Sequence, residues 1–348
     1  MADMIISVII PMYNAENFIG ECLRRILNQT FQDFEVIVVD DCSTDNSCGV
    51  VENLKSSFGT KLNLIKLDKN SGCAAIPRNV GMKNSRGKYL MFVDSDDAIK
   101  KTALEELYNV AENFQADVVH AERIYVHSEK NGEFETKIDS LQRGNFVDSP
   151  TLESSDIAER IKKFTNQQTH WWSVSRLYLR KFIADNKIEF PPIRVFEDFV
   201  FSFNCIVKAE KFVRVPNVIY HWRIRNDSTS HKPADLVTLT NQVSKVVKYL
   251  DDIMRNEKFF SDNLKAMYSV INFFMQQRLQ VFGNIAFKGN APDVSEIYEE
   301  IYQKVFSKFS ADTAALNSYL LIMASFYKAY SEQQNKQVEE LKSFLKKN

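Results

Sequence analysis

Glycine and proline are scarce. The chain carries ten glycines and eight prolines in 348 residues, where average usage is about 7% and 5%. This excludes collagen-like and low-complexity chains and suggests long helices. Eight of the ten glycines fall at or before Gly144, and from Ala234 to Asn348 the only proline is Pro292, so two regions of different character are expected. Neither sign of charge is in excess: 44 Lys+Arg against 45 Asp+Glu give a net charge of −1. That balance argues against general nucleic-acid binding, which needs many phosphate contacts. The five cysteines, Cys22, Cys42, Cys48, Cys73 and Cys205, are odd in number and form no CxxC pair. Free thiols in a reducing cytoplasm are expected, not a disulfide framework or a zinc site. The start, MADMIISVIIPMYN, lacks the basic region of a signal peptide. The longest candidate membrane run, Tyr319–Tyr327, is about half of what a span needs. Localisation is therefore expected to be cytoplasmic. What the chain does have is 45% hydrophobic residues, with 26 phenylalanines, which is ample for a large core.

Along the chain, Ile5–Ile10 is a short β-branched run ended by Pro11, as suits a buried parallel strand. Asn14 is expected to cap a helix over Ala15–Gln29. Further strands are expected at Glu35–Val39, Leu62–Leu67, Lys88–Val93 and Asp117–Ile124. Helices are expected at Asn46–Ser56, Ala74–Asn84 and Thr102–Phe114. This alternation indicates βαβ units and a mostly parallel, doubly wound, Rossmann-like sheet. Beyond Tyr125 the pattern loosens. Glu129–Gly132 reads as a turn, Gln142–Ser154 as a loop, Trp171–Tyr178 and Val218–Ile224 as strands, and Asp198–Lys208 as a helix. From Pro233 onward heptad-like apolar spacing (Leu236, Leu239, Val243, Val246, Val247, Leu250, Ile253) predicts four or five helices, with the first break near Asn256–Phe260.

Ligands of a parallel sheet bind beyond the carboxyl ends of its strands. Those ends read Pro11-Met12-Tyr13-Asn14, Asp40–Asp45, Asp68–Gly72 and Asp94-Ser95-Asp96-Asp97. Aspartates dominate. No GxGxxG follows the first strand and no GxxxxGK[ST] occurs, which counts against a dinucleotide fold and a P-loop enzyme. Carboxylates at such a site suit a hard divalent cation carrying phosphate oxygens.

The strings Ser-Val-Ile-Ile-Pro-Met-Tyr-Asn (7–14), Val-Val-Asp-Asp-Cys-Ser-Thr-Asp-Asn-Ser (38–47), Arg-Asn-Val-Gly (78–81) and Gly-Lys-Tyr-Leu-Met-Phe-Val-Asp-Ser-Asp-Asp (87–97), in that order, resemble family 2 nucleotide-sugar glycosyltransferases of the GT-A fold and the bacterial surface-polysaccharide type. The match is close over roughly the first 125 residues. It continues more weakly through Trp172–Tyr178 and Phe196–Phe199 to Tyr220–Arg223. The resemblance implies an α/β GT-A domain over 1–232, with a nucleotide-sugar half (1–125) and an acceptor half (126–232), followed by an all-helical region over 233–348. It implies that Pro11 and Tyr13 line the base pocket and that Asp40 or Asp41 accepts from the base. It places Arg78 near the diphosphate or the acidic cluster. Asp94-Ser95-Asp96 resembles the DxD motif, with Asp96 as the first-choice ligand of Mn2+ or Mg2+, Asp94 beside it and His221 a further candidate. Asp198 matches the catalytic base, and His221, Arg223 and Arg225 lie on a segment that closes over the diphosphate.

The implied reaction is inverting transfer of a sugar from a UDP-sugar donor to a hydroxyl of a glycan or lipid-linked glycan. Cys42 departs from the family pattern, standing where glycine is common. The competing readings are a catalytically silent nucleotide-sugar-binding scaffold of the same fold and a nucleotidyltransferase. The second would need a Gly-rich basic loop after the first strand, and Met12–Phe18 is not one. Ordinary readings compete at single residues: Asp97 as a helix cap, Thr44 and Asp45 as turn formers, His221 as a packed histidine. For the helical region the candidates are homo-oligomerisation, an acceptor lid and peripheral contact with the inner face of the membrane. The tail Gln337–Lys347 carries Val338, Leu341, Phe344 and Leu345 on one face, beside Lys342, Lys346 and Lys347. That suits an anionic lipid surface or an ordinary packed amphipathic helix.

Overall fold

The fold is that of a computed structural model, which describes residues 4–130, 133–139, 146–224, 236–264, 266–267, 269–271 and 273–274. The chain divides into two compact units, Met1–Lys232 and Pro233–Asn348. In chain order the first unit holds β1 (Ile6–Met12), α1 (Ile19–Leu27), β2 (Phe34–Asp40), α2 (Ser47–Phe58), β3 (Leu62–Lys66), α3 (Ala75–Lys83), β4 (Tyr89–Phe92), β5 (Ala98–Ile99) and α4 (Ala103–Phe114). There follow β6 (Val118–Lys130), β7 (Glu133–Asp139), β8 (Thr151–Leu152), α5 (Ile157–Thr165), β9 (Arg176–Leu179), α6 (Arg180–Asp185), α7 (Glu197–Lys208) and β10 (Phe212–Arg223).

The strands form one mixed sheet in the order β3-β2-β1-β4-β9-β6-β10-β5, with β7 on β6 and β8 on β10. Its first four strands are parallel, the wound half that the sequence pattern indicates. Every residue of β1 and β2 is buried, as both-face burial requires of a continuous apolar run. Each fully buried Val or Ile there contributes roughly 1.5–3 kcal/mol. Two of the polar residues in this layer pair with each other: the Ser7 hydroxyl donates to Glu35 Oε1 at 2.7 Å. Arg86 closes the group with an ion pair to Glu35 Oε2 at 2.7 Å. Helix α3 lies so close to β1 that a Cβ on Gly81 would meet Ile9 Cγ2 at 2.3 Å. Only glycine allows that approach, and it holds Arg78, one turn earlier, over the strand ends.

Several elements differ from the expected ones. Helix α1 begins at Ile19, not Ala15, because Asn14 has φ 47° and spends its side chain accepting from Thr44 N at 2.8 Å. Strand β9 is only the end of the expected Trp171–Tyr178 strand, since Ser175 turns at φ 62°. Strand β10 starts well before Val218, the short strand β8 falls inside the expected loop Gln142–Ser154, and α5 lies where no element is expected. Asp97 is no helix cap; it faces the interior. In the second unit, α8 (Leu236–Arg255) and α9 (Lys258–Asp262) flank a break at Asn256–Glu257. Val243, Val246, Leu250 and Met254 are fully buried, in keeping with the heptad-like spacing. The later predicted helices, the run Tyr319–Tyr327 and the tail Gln337–Lys347 lie outside the described residues. Among the described residues no helix is long and apolar enough to cross a membrane.

Candidate active site

The carboxyl ends of β1, β2 and β4 meet where the sequence places its aspartates. Asp41 N donates to Met12 O at 2.8 Å and Val93 N to Ile9 O at 3.1 Å, so the three strand ends are tied together before any side chain is considered. Pro11 is buried, while the ring of Tyr13 is 50% exposed, a free aromatic face at the mouth of the site. Asp40 and Asp41 are both buried. Asp40 accepts from Ser43 N at 3.2–3.3 Å. Asp41 accepts from Ser71 N at 2.8 Å and from the Ser71 hydroxyl at 3.0 Å. Burial nevertheless pushes the Asp41 carboxyl above its ordinary range, with Asp40 adding to it. Ser71 is a partner that the sequence reading did not single out; its place in the Asp68–Gly72 strand end was the available signal. Cys42 sits at φ 63°, the left-handed region in which glycine is the residue of least strain.

Arg78 is the centre of the acidic group. It is buried, and its Nη2 donates to Asp94 Oδ1 at 2.8 Å. Its Nη1 donates to Glu197 Oε1 at 3.0 Å and to Asp198 Oδ1 at 2.9 Å. Three carboxylates from the end of β4 and the first turn of α7 thus share one guanidinium, whose planar fork suits such multiple acceptance. The reach from α3 to α7 is fixed by a second contact: Asn79 donates to Phe190 O at 2.8 Å and accepts from Phe190 N at 2.9 Å. Phe190 in turn stacks on Phe201 of α7 at 3.8 Å. Burial and the neighbouring Asp198 raise the Glu197 carboxyl to about 8. Burial also raises Asp198, against the pull of Arg78. The two acids therefore compete for one cation, and burial raises both of them. Asp198 Oδ1 also accepts from the Ser173 hydroxyl at 2.7 Å.

The aspartate loop is latched to β10. The Tyr220 hydroxyl donates to Asp97 Oδ2 at 2.7 Å and accepts from Asp94 N at 3.1 Å. Arg223 N donates to Asp97 Oδ1 at 2.9 Å. The Arg223 guanidinium pairs with Glu21 Oε2 at 2.7 Å and lies 5.3 Å from the centre of the Phe18 ring. Asp94, Ser95 and Asp96 are partly exposed. His221 does not join them: its Nδ1 lies 2.9 Å from His127 Nε2, and its ring stacks on Tyr125 at 4.6 Å. Burial lowers its pKa to about 4, with His127 adding to the effect. Among the described residues no group of three or more His, Cys, Asp or Glu side chains could by itself hold a metal ion. Arg225 lies outside the described residues. The structure thus brings together Arg78, Asp94 and Asp198, places Asp96 and Arg223 at the rim, and turns His221 to another partner.

Residues 7–185, about half of the chain, match the family described as Glycosyl transferase family 2. The chain belongs to glycosyl transferase family 2. Among curated proteins, this family 2 chain is 33% identical over 227 residues to a poly(ribitol-phosphate) beta-glucosyltransferase of Bacillus spizizenii. The alignment covers 64% of this chain and 33% of that protein, so the chain spans about a third of the relative's length. Among solved structures, it resembles S. aureus TarS 1–349 in complex with UDP-GlcNAc, with a TM-score of 0.63, 22% identity and coverage of 95% of this chain and 92% of that one. It also resembles the mannosyltransferase PcManGT of Pyrobaculum calidifontis in complex with GDP-Man and Mn2+, with a TM-score of 0.53, 14% identity and coverage of 94% and 87%. These likenesses show that the fold is the GT-A-like α/β arrangement.

Proposed function

We propose that this family 2 chain is an inverting glycosyltransferase that moves a sugar from a UDP-sugar to a hydroxyl of a glycan or polyol-phosphate polymer, with Asp198 as general base. The observation that carries the reading is the convergence of Asp94, Asp198 and Glu197 on the buried Arg78. It joins the strand-end loop that would hold a donor diphosphate to a carboxylate able to accept a proton. The name of the B. spizizenii relative, a poly(ribitol-phosphate) beta-glucosyltransferase, supports a polymeric polyol-phosphate acceptor. The UDP-GlcNAc complex of TarS supports a UDP-sugar donor.

In this reading the base lies against Tyr13, and Asp40 or Asp41 accepts from it. The acceptor hydroxyl approaches Asp198. Its oxygen forms the new bond to the anomeric carbon, its proton passes to the carboxylate, and the bond from that carbon to the diphosphate breaks with the electron pair leaving on UDP. Attack opposite the leaving group inverts the configuration. Magnesium and manganese sites of this kind need only one or two carboxylates, with phosphate oxygens and water completing the shell. The hard oxygens of Asp94 and Asp96 fit that requirement and would hold the ion; His221, engaged with His127, is not needed. Bound there, the ion would neutralise charge on the leaving diphosphate. Arg223 stands at the same rim as a further cation for the phosphates.

The test is a panel of UDP-sugars with poly(ribitol phosphate) as acceptor, read by UDP release and by the anomeric configuration of the product. One donor is expected to release UDP and give a product of opposite configuration. A product of retained configuration contradicts the single-displacement reading.

A further inference from the structure

We infer that Ser173 is a positioning residue for the reaction, fixing the carboxylate of Asp198 so that one oxygen stays turned toward the acceptor. The inference rests on the reading of Asp198 as the base. It starts from a conflict in the geometry. Arg78 is shared among three carboxylates, so it cannot dictate the orientation of any one of them. The terminal torsion of an aspartate is broad and roughly two-fold. Held by Arg78 alone, the Asp198 carboxylate could swing to bring both oxygens onto the guanidinium. Ser173 prevents this. Its hydroxyl donates to Asp198 Oδ1 at 2.7 Å, the same oxygen that Arg78 Nη1 binds at 2.9 Å. Both protein donors therefore fall on Oδ1, which leaves Oδ2 without one among the described residues.

Ser173 is itself rigidly placed. It is fully buried. Its carbonyl accepts from the Tyr178 hydroxyl at 2.9 Å, and the Tyr178 ring is wedged edge-on against Phe92 at 5.7 Å and Phe201 at 5.4 Å. The anchor therefore belongs to the sheet core, with Tyr178 on β9, while the base belongs to the first turn of α7. The left-handed turn at Ser175, φ 62°, separates Ser173 from the strand and lets its side chain face α7. A hydroxyl donating to the ionised form also favours that form over the protonated one, opposing the effect of burial on Asp198.

The test compares Ser173→Ala, Ser173→Thr and Asp198→Asn in the full-length chain. Each is assayed for transfer across pH with the donor identified by the panel, for UDP affinity by calorimetry and for thermal stability. Losing a hydrogen bond to a charged group corresponds to roughly 10- to 100-fold. Ser173→Ala is therefore expected to lower kcat by roughly that factor, with KM for the donor and UDP affinity unchanged. The acid limb of its pH profile should move to higher pH, because the base loses a donor that favours its ionised form. Ser173→Thr, which keeps the hydroxyl, should restore both. If the added methyl lowers its melting temperature, the alanine variant's pH profile decides alone. An inactive Asp198→Asn beside an Ser173→Ala with unshifted acid limb and near-normal kcat overturns the inference and leaves the base reading standing. An active Asp198→Asn overturns the base reading itself.

Discussion

Two carboxyls, Glu197 and Asp198, stand next to each other in sequence and share one guanidinium, yet their environments separate them. Glu197 is buried against Arg78 with its carboxyl raised to about 8, and Asp198 keeps 19% of its side chain open to solvent. The separation has a consequence for stability. With its carboxyl raised in the folded chain, Glu197 would bind a proton that the unfolded chain, at an ordinary value of 4.5, releases. Where the native state binds more protons than the unfolded state, stability falls as pH rises. The folded chain should therefore lose stability between about pH 4.5 and pH 8 through this group. Urea melts across that range are expected to show a shallower decline for Glu197→Gln than for the natural chain. Parallel curves would place the proton elsewhere. The sequence carried Asp198 through a motif, but it could not show which neighbour would hold the proton. That depends on burial in the fold, opposed by Arg78, which is 119 residues away from Glu197 in the chain.

At the scale of elements, what was legible follows from how each is stabilised. Strands β1, β2 and β4 are runs of β-branched and aromatic residues buried on both faces, and their sequence says so directly. Helix α3 and the strand-end aspartates follow from the same reading. The elements that were misplaced are those decided by contacts between distant segments. Asn14 reads as a cap, but its side chain is engaged by the β2–α2 loop at Thr44. Asp97 reads as a helix-start residue, but β10 brings Tyr220 to it from 123 positions away. That contact makes the aspartate loop and β10 one unit, because the same tyrosine oxygen accepts from Asp94 N. Tyr220→Phe leaves the buried Asp97 with one fewer donor and Asp94 N without its acceptor. The expected cost is about 1–3 kcal/mol, measured by urea unfolding, with a matching loss of affinity for UDP if the loop is displaced. A change below about 0.5 kcal/mol, the scale of an ordinary surface substitution, would show that the latch contributes little.

At the scale of the whole molecule, the scarcity of glycine and proline marks a division of labour between its two units. The early glycines serve close approaches and turns around the site, as Gly81 does against Ile9. Among the described residues the second unit holds helices α8 and α9, with Val243, Val246, Leu250 and Met254 buried. Family membership was legible because four motifs fall in order in the first unit, three of them running over strand ends and the fourth, Arg78–Gly81, on helix α3. The second unit carries no such signal, since an amphipathic helix face records packing and not the identity of what it meets. The proposed transfer rests on one carboxylate, Asp198. The most direct measurement is the transfer rate of Asp198→Asn set beside its affinity for UDP. The amide keeps the shape and removes the base. The rate is expected to fall by about 10²- to 10⁴-fold with UDP affinity retained, whereas an unchanged rate would contradict the assignment of Asp198 as the base.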